Sequence, residues 1–475
     1  MPGEGTGARK QGPRRSGSFR KARIDWRQPD LIAYRSILDF LEPGDPTLWV
    51  LELQERIPLS LFGESSVYGG FEYDPRVLFT LWMFGLWTGG MSSRKLETAA
   101  RRDVRFIALA QGLRPDHATL CRFRRGLGDS IGSLMKYTVD LAREAGLVGF
   151  RRGHVDGHRL PGNVSQWRKL VNEAEAEDRR DEGSEATAEQ GKAAPSDPDA
   201  RLIKTKKGFV TGYNAQALAD EESGIVLSAC VSNSSSDGAE LEPLLDRCIE
   251  THEDLPDSVA ADKGFDTPRN AYAMELLGVE GFIPAHMPSV FTLDEEEKVV
   301  CPAGHEPDKL RRFKAKGVEV LQRCATQCEG CALWEHCSKV GERRKGRSKV
   351  RKRCKTIRTP ADVPIPPWLR MHERASSERG KEAMRKRAST VERLFAHTKN
   401  RLGLRSFSLR GLDLVDLEWN LTMVSHNLWR IRNAGVELVL ASLRRLLRRF
   451  VTLSSPSPAH CFPPHERAAY PAYAA

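Results

Sequence analysis

The sequence predicts an α+β protein of several domains. Three observations support this. Helical spacing of apolar residues fills residues 29–146, runs of β character begin near Gly149, and helical spacing returns over residues 359–453. At 475 residues the chain has room for about two to four domains of ~100–200 residues each. Residues 147–300 and 359–453 are expected to form one α+β domain with a mixed sheet, interrupted by a cysteine-rich basic insertion at 301–358. Residues 1–28 and 454–475, rich in Gly, Ser, Pro and Ala, read as disordered tails.

Within the first helical region, YDPRVLFTLWMFGLWTGG has a capping Asp74, a proline at the first helical position and a Gly89-Gly90 stop. SSRKLETAARRDVRFIALAQGL predicts one helix and PDHATLCRFRRGLG another, with Gly112–Pro115 as the turn between them. The closing helix carries Arg122, Arg124 and Arg125. This is compatible with a helix-turn-helix unit that reads DNA, and equally with a small bundle with a basic outer face.

From Gly149 the period shortens. FRRGHVDGHRL reads as a strand, and GFVTGYNAQALAD with GIVLSACVSN reads as a hairpin. GAELEPLLDRCIETH is an amphipathic helix, SVAADKGF a short strand, TPRNAYAMELLG a helix stopped by Gly278, and VEGFIPAH another strand. Residues 171–200 hold ten acids and three bases and are expected to be a solvated insertion.

The charge balance is 74 basic against 63 acidic residues, a net of +11. Its placement says more than its total: residues 339–358 hold eleven bases and one acid, Glu342. Such a block suits a phosphate backbone, although a solvated linker looks similar. The N-terminus has no apolar segment of the secretory kind, and the longest apolar run, VLFTLWMFGLW, is about half of what a bilayer requires. Ten cysteines, five of them at 301, 324, 328, 331 and 337, read as metal ligands in a reducing compartment. A cytoplasmic location follows as the expectation.

Three carboxylates attract attention: Asp156 in HVDG, Asp262 in VAADKGF, and Glu392 in the late helical segment TVERLFAHTKN. Singly, each has an ordinary reading, since Asp-Gly at a strand end is commonly a turn and Glu is a good helix former. Jointly, hard oxygen ligands on two strand ends and a helix suit divalent cations that act on phosphodiesters. His154 and His158 lie two residues either side of Asp156, on its face of a regular strand. Lys399 and Arg385 lie seven residues either side of Glu392, on nearly the same helix face.

These segments, in this order, resemble the bacterial DDE-type insertion-sequence transposases, in the branch with a cysteine-rich insertion before the glutamate helix. The resemblance rests on YDPRVLFTLWMFGLWTGGMSSRKLETAARRDVRFIALAQGLRPDHATLCRFRR, HVDGHRLPGNVS, DPDARLIKTKKGFVTGYNAQALAD, ADKGFDTPRN and TVERLFAHTKNRLGLRSFSLRG, and it covers most of the chain. It implies a ribonuclease-H-like catalytic domain in which Asp156, Asp262 and Glu392 hold two Mg²⁺ or Mn²⁺ ions. It also implies cleavage and joining of double-stranded DNA at transposon ends. The first motif departs from the pattern, with His158 where the family usually has a small hydroxyl residue. DNA contacts are expected from Lys399, Arg385, Arg122, Arg124, Arg125, Arg351, Lys352 and Arg353. Because the resembling proteins have cysteines at the same four places, Cys301, Cys328, Cys331 and Cys337 are the expected structural Zn²⁺ ligands. Cys324, His305 and His336 are substitutes, and reduced unligated thiols are the alternative. Pairing of two ends implies a homodimer in the working complex. A cut-only nuclease and a zinc-stabilised DNA-binding regulator are the competing functions.

Overall fold

The computed structural model describes residues 37–63, 73–164, 196–205, 208–286, 291–296, 298–307, 309–315, 318–324, 328, 331–334, 337, 356–360 and 366–454. The chain divides into two compact units, Met1–Arg432 and Asn433–Ala475. The first holds the helices, the sheet and the candidate site. The second consists, where described, of the distal part of the last helix.

The first unit begins with helices α1 (Pro46–Arg56), α2 (Pro75–Trp87), α3 (Ser93–Arg102), α4 (Val104–Leu109), α5 (His117–Arg125) and α6 (Ile131–Glu144). Asp74 caps α2 by accepting from Arg76 N, as the sequence predicts. The single helix expected over 92–113 is two. Asp103 adopts an extended backbone (φ −100°, ψ 122°), ends α3, and turns its carboxylate onto Arg105 N to start α4. An aspartate that finds a local backbone donor offers the chain an alternative to continuing the helix, and here that alternative prevails. Val77, Leu81 and Met83 of α2 are inaccessible to solvent, so this helix is the core of the bundle.

Strands follow: β1 (Arg152–Pro161), β2 (Arg201–Thr205), β3 (Gly208–Asp220) and β4 (Val226–Ser232), then helix α7 (Leu241–His252), β5 (Ser258–Ala260), α8 (Pro268–Leu276) and β6 (Glu280–Phe282). They build a six-stranded sheet in the order β2-β3-β1-β5-β6, with β4 also paired to β3. β1 is antiparallel to β3 and parallel to β5, and β5 is parallel to β6. The sheet is mixed, as expected. The reason is topological: the hairpin strands connect directly, whereas each parallel neighbour is reached through a helical crossover, α7 or α8.

Short strands β7 (Thr292–Leu293) and β8 (Val299–Val300) and a three-stranded antiparallel sheet of β9 (Lys309–Ala315), β10 (Val318–Cys324) and β11 (Thr356–Pro360) come next. Helices α9 (Pro367–Ser376), α10 (Glu378–Asn400) and α11 (Leu412–Ser454) close the chain. In α10, Val391 and Leu394 are buried, and Leu402 is buried just beyond the helix. With Phe395, which is only partly buried, they form the apolar stripe of α10. Trp87 Nε1 of α2 donates to Ser425 O at 3.0 Å and its ring meets Trp429 edge-on, so the N-terminal helices and α11 share a core.

The end of the acidic stretch is not solvated. Asp197 is fully buried, accepting from Tyr213 Oη at 2.7 Å and Gly411 N at 3.1 Å. Asp199 accepts from Leu412 N at 3.0 Å, at the start of α11. Buried acids that meet backbone donors at a helix N-terminus are stabilised there. Residues 165–195 lie outside the described residues.

A candidate metal and DNA site on the sheet

The β1–β5 register brings two of the three sequence-selected carboxylates together. The last paired residues are His154 and Ala260. Asp156 and Asp262 each stand two residues further along parallel neighbours, so they emerge level with one another. Asp262 caps a short turn at Lys263–Phe265, its Oδ1 accepting from Gly264 N at 2.7 Å. Asp156 Oδ1 accepts from Gly157 N at 2.8 Å, and its Oδ2 lies 3.2 Å from Arg387 Nη1. Burial pushes the Asp156 carboxyl up from the ordinary carboxylate range. Arg387 and the Gly157 amide pull it back down, and the charge of Asp262 raises it again.

Glu392 is exposed on α10. Phe395, one turn on, stacks on His158 with ring centroids 5.1 Å apart, and the charge of Lys399 acts on the same histidine. Glu392, three residues before Phe395 and seven before Lys399, shares that flank. The opposite flank is pinned: Lys386 Nζ lies 3.2 Å from Glu221 Oε1, and Thr390 Oγ1 donates to Glu221 O at 3.3 Å. Helix α10 therefore presents Glu392 toward the outgoing end of β1. Among the described residues, no three His, Cys, Asp or Glu side chains are arranged to hold a metal ion. Two carboxylates are juxtaposed, and the third is on the correct flank without closing on them.

The two histidines beside Asp156 are packed, as ordinary core histidines would be. His154 is buried with Nε2 3.2 Å from Glu221 Oε2, and burial, then Arg387, Arg152 and Lys386, push its pKa down to about 4. His158 is pushed down to about 4 by burial, then by Lys399 and Arg159. Both are neutral at pH 7.

The expected DNA contacts separate in space. Arg122, Arg125 and Arg385 are exposed. Arg124 is not available for a phosphate: it donates to Ser408 Oγ at 3.1 Å, lies 3.5 Å from Glu418 Oε1 and stacks 4.4 Å above the Trp82 ring. Half of a helix surface must face its own protein, and Arg124 is on the inner half of α5. Arg351, Lys352 and Arg353 lie outside the described residues, as do His336 and the Cys324 side chain.

Cys301 and Cys328 pack on one apolar cluster of Phe291, Val299 and Leu369. Cys331 N donates to Cys328 O at 3.4 Å, and Cys337 is buried. The four thiols do not form a three-ligand group in this structure, so the expected zinc has no support from their geometry. Sequence reasoning overlooked Arg387 and Asp237. Arg387 is hidden among many bases, and Asp237 sits in a Ser-rich turn that carries no motif.

The chain matches two family models, one described as Transposase domain (DUF772) over residues 50–126 and one as Transposase DDE domain over residues 300–432. These two matches indicate an insertion-sequence DDE transposase. No curated protein matches it. The first match covers most of α1 and all of α2–α5, and the second runs from the cysteine-rich segment through Glu392 into α11. Asp156 and Asp262 lie between the two. Transposases act on DNA, and DDE transposases in general use divalent metals. The oxygen donors of Asp156 and Asp262 suit such ions, and Arg387 gives Asp156 a cationic partner in the same place. No helix among the described residues is long and apolar enough to cross a membrane.

Proposed function

We propose that this transposase binds the terminal inverted repeats of its insertion sequence, cuts a strand at each end and joins the freed 3′-hydroxyl to target DNA. The observation that carries this reading is the level pairing of Asp156 and Asp262 on parallel strands, with Glu392 on the overlying helix flank. The strand order supports it further. Antiparallel strands continued by two parallel ones, with the first aspartate on the strand between, suit a ribonuclease-H-like domain.

Asp156, Asp262 and Glu392 would hold the divalent cations. When bound, such ions stabilise the attacking and leaving oxygens of in-line phosphoryl transfer. Lys399 lies on the flank of Glu392 and would meet a DNA phosphate. Arg385 extends that cationic line, and Arg122 and Arg125 on α5 supply a second patch for the DNA end. Two ends held together call for two copies of the chain, acting in the cytoplasm on chromosomal DNA.

Asp156→Ala, Asp262→Ala and Glu392→Ala are each expected to abolish Mg²⁺-dependent nicking of a labelled end duplex while retaining its binding. A strand-transfer product distinguishes joining from cutting alone. If nicking persists in both aspartate variants, this site is wrong. If the native protein binds ends but never nicks, the regulator reading replaces it.

A further inference from the structure

A fourth carboxylate packs beside the glycines that follow the two paired aspartates, on the face of β1 opposite the Asp156 side chain. Asp237 lies in the turn between β4 and α7, outside every segment selected from the sequence. Its Oδ1 accepts from Asn214 Nδ2 at 2.8 Å and Gln216 Nε2 at 2.9 Å, and its Oδ2 accepts from Arg159 Nη2 at 3.0 Å. Asn214 and Gln216 are fully buried on β3, and Arg159 lies on β1 three residues past Asp156. The carboxylate thus clamps the two central strands beside the site.

It also bears on both aspartates through their glycine neighbours. A methyl group at Gly157 would collide with the Gln216 amide and lie 2.8 Å from Asp237 Oδ1. At Gly264 it would lie 2.8 Å from Asp262 Oδ1 and 3.3 Å from Asp237 Oδ2. Close approach therefore restricts both positions, to the Gln216 amide at Gly157 and to Asp262 Oδ1 at Gly264, with an Asp237 oxygen the next neighbour of each. The following Gly238 is tied to the second-aspartate segment, its carbonyl accepting from Thr267 Oγ1 at 3.2 Å and Asn270 Nδ2 at 3.0 Å.

We propose that Asp237 is a positioning residue, a carboxylate strut that sets the spacing of Asp156 and Asp262 without itself holding metal. This rests on the assignment of those aspartates as metal ligands. Three donors already occupy the Asp237 oxygens, which makes it a support for ligands and a poor ligand itself. Asparagine in its place would turn an amide group toward at least one existing donor.

The test is Mn²⁺ affinity of the full chain, read by titration calorimetry, alongside nicking in Mg²⁺ and in Mn²⁺. Asp237→Asn is expected to weaken Mn²⁺ binding about 10–100-fold in a chain that still folds, with a lowered thermal midpoint. Gly264→Ala should follow the same pattern. Nicking in Mn²⁺ should survive better than in Mg²⁺, because Mg²⁺ demands stricter octahedral geometry. If Asp237→Ala does not fold, the isosteric Asp237→Asn still decides. Native Mn²⁺ affinity in Asp237→Asn overturns the strut, and complete loss of binding, as in Asp156→Ala, makes Asp237 a ligand and overturns it equally. If Mn²⁺ binding is unaffected in Asp156→Ala and Asp262→Ala, the metal-site assignment itself fails, whatever Asp237 does.

Discussion

Arg387 shows how one residue can decide the state of a site. Its guanidinium is largely buried, at 12% exposure, and lies 3.2 Å from an Asp156 carboxylate that is 25% exposed. It also donates to Val155 O at 3.3 Å. Removing one partner of such a pair leaves the other poorly solvated, a cost that usually exceeds the net value of the pair. Arg387→Met is therefore expected to destabilise the metal-free protein by about 2 kcal/mol at pH 7. Added Mg²⁺ should raise its thermal midpoint more than it raises that of the native protein, since the ion replaces the lost cation. Equal shifts would mean that Arg387 and the metal do not share Asp156.

At the scale of elements, α10 and α11 meet through a histidine pair. His397 Nδ1 lies 2.9 Å from His426 Nδ1, and His426 Nε2 lies 3.0 Å from Gly224 O. The carbonyl can only accept, so His426 carries its proton on Nε2. His397 must then donate from Nδ1, and both rings are neutral. Burial, then the charge of His397, push His426 down to about 3, and burial, then Arg401 and Arg430, push His397 down to about 4. A depressed histidine pKa means that the unfolded chain binds more protons than the native one below its ordinary value of about 6.5. Stability contributed by this pair is thus complete above pH 6.5 and declines as pH falls toward 4. The loss should be on the order of 5 kcal/mol for the pair by pH 4.5. Denaturant titrations at pH 7 and pH 4.5 would measure it, and His426→Gln should flatten the difference. An unchanged slope would place the acid sensitivity elsewhere.

At the scale of the whole molecule, the helical N-terminal segment and the sheet form one unit because they share side chains as well as surfaces. Glu418 of α11 accepts from Ser408 N and Leu409 N, each at 2.9 Å, and lies 3.5 Å from Arg124 of α5. Arg124→Ala is expected to cost about 3 kcal/mol of stability and to leave the salt dependence of DNA binding unchanged. Arg122→Ala and Arg125→Ala should do the reverse, each lowering the salt slope by about 1 with little effect on stability. If Arg124→Ala lowers the salt slope as much as the other two, the inward placement does not describe the DNA-bound protein.

The sequence by itself determined what depends on local chemistry. Asp74-Pro75 and the Gly89-Gly90 stop delimit α2, the 3.6-residue stripe through Val391 and Leu394 docks α10, and the polar junction containing Gly224 marks the β3–β4 hairpin. It also singled out Asp156, Asp262 and Glu392, because their surrounding segments are long and ordered as in a known family. Tertiary structure decided everything that depends on which strands become neighbours. No spacing in the chain states that residues 106 apart will stand level, because register is a property of two strands at once. The same holds for Arg124, whose inward turn is set by Glu418 nearly three hundred residues later. It holds for Asp237 too. Its turn is unremarkable until β1, β3 and the Asp262 loop close around it. Local signals say what a segment forms, whereas long-range packing chooses which of its side chains face the site.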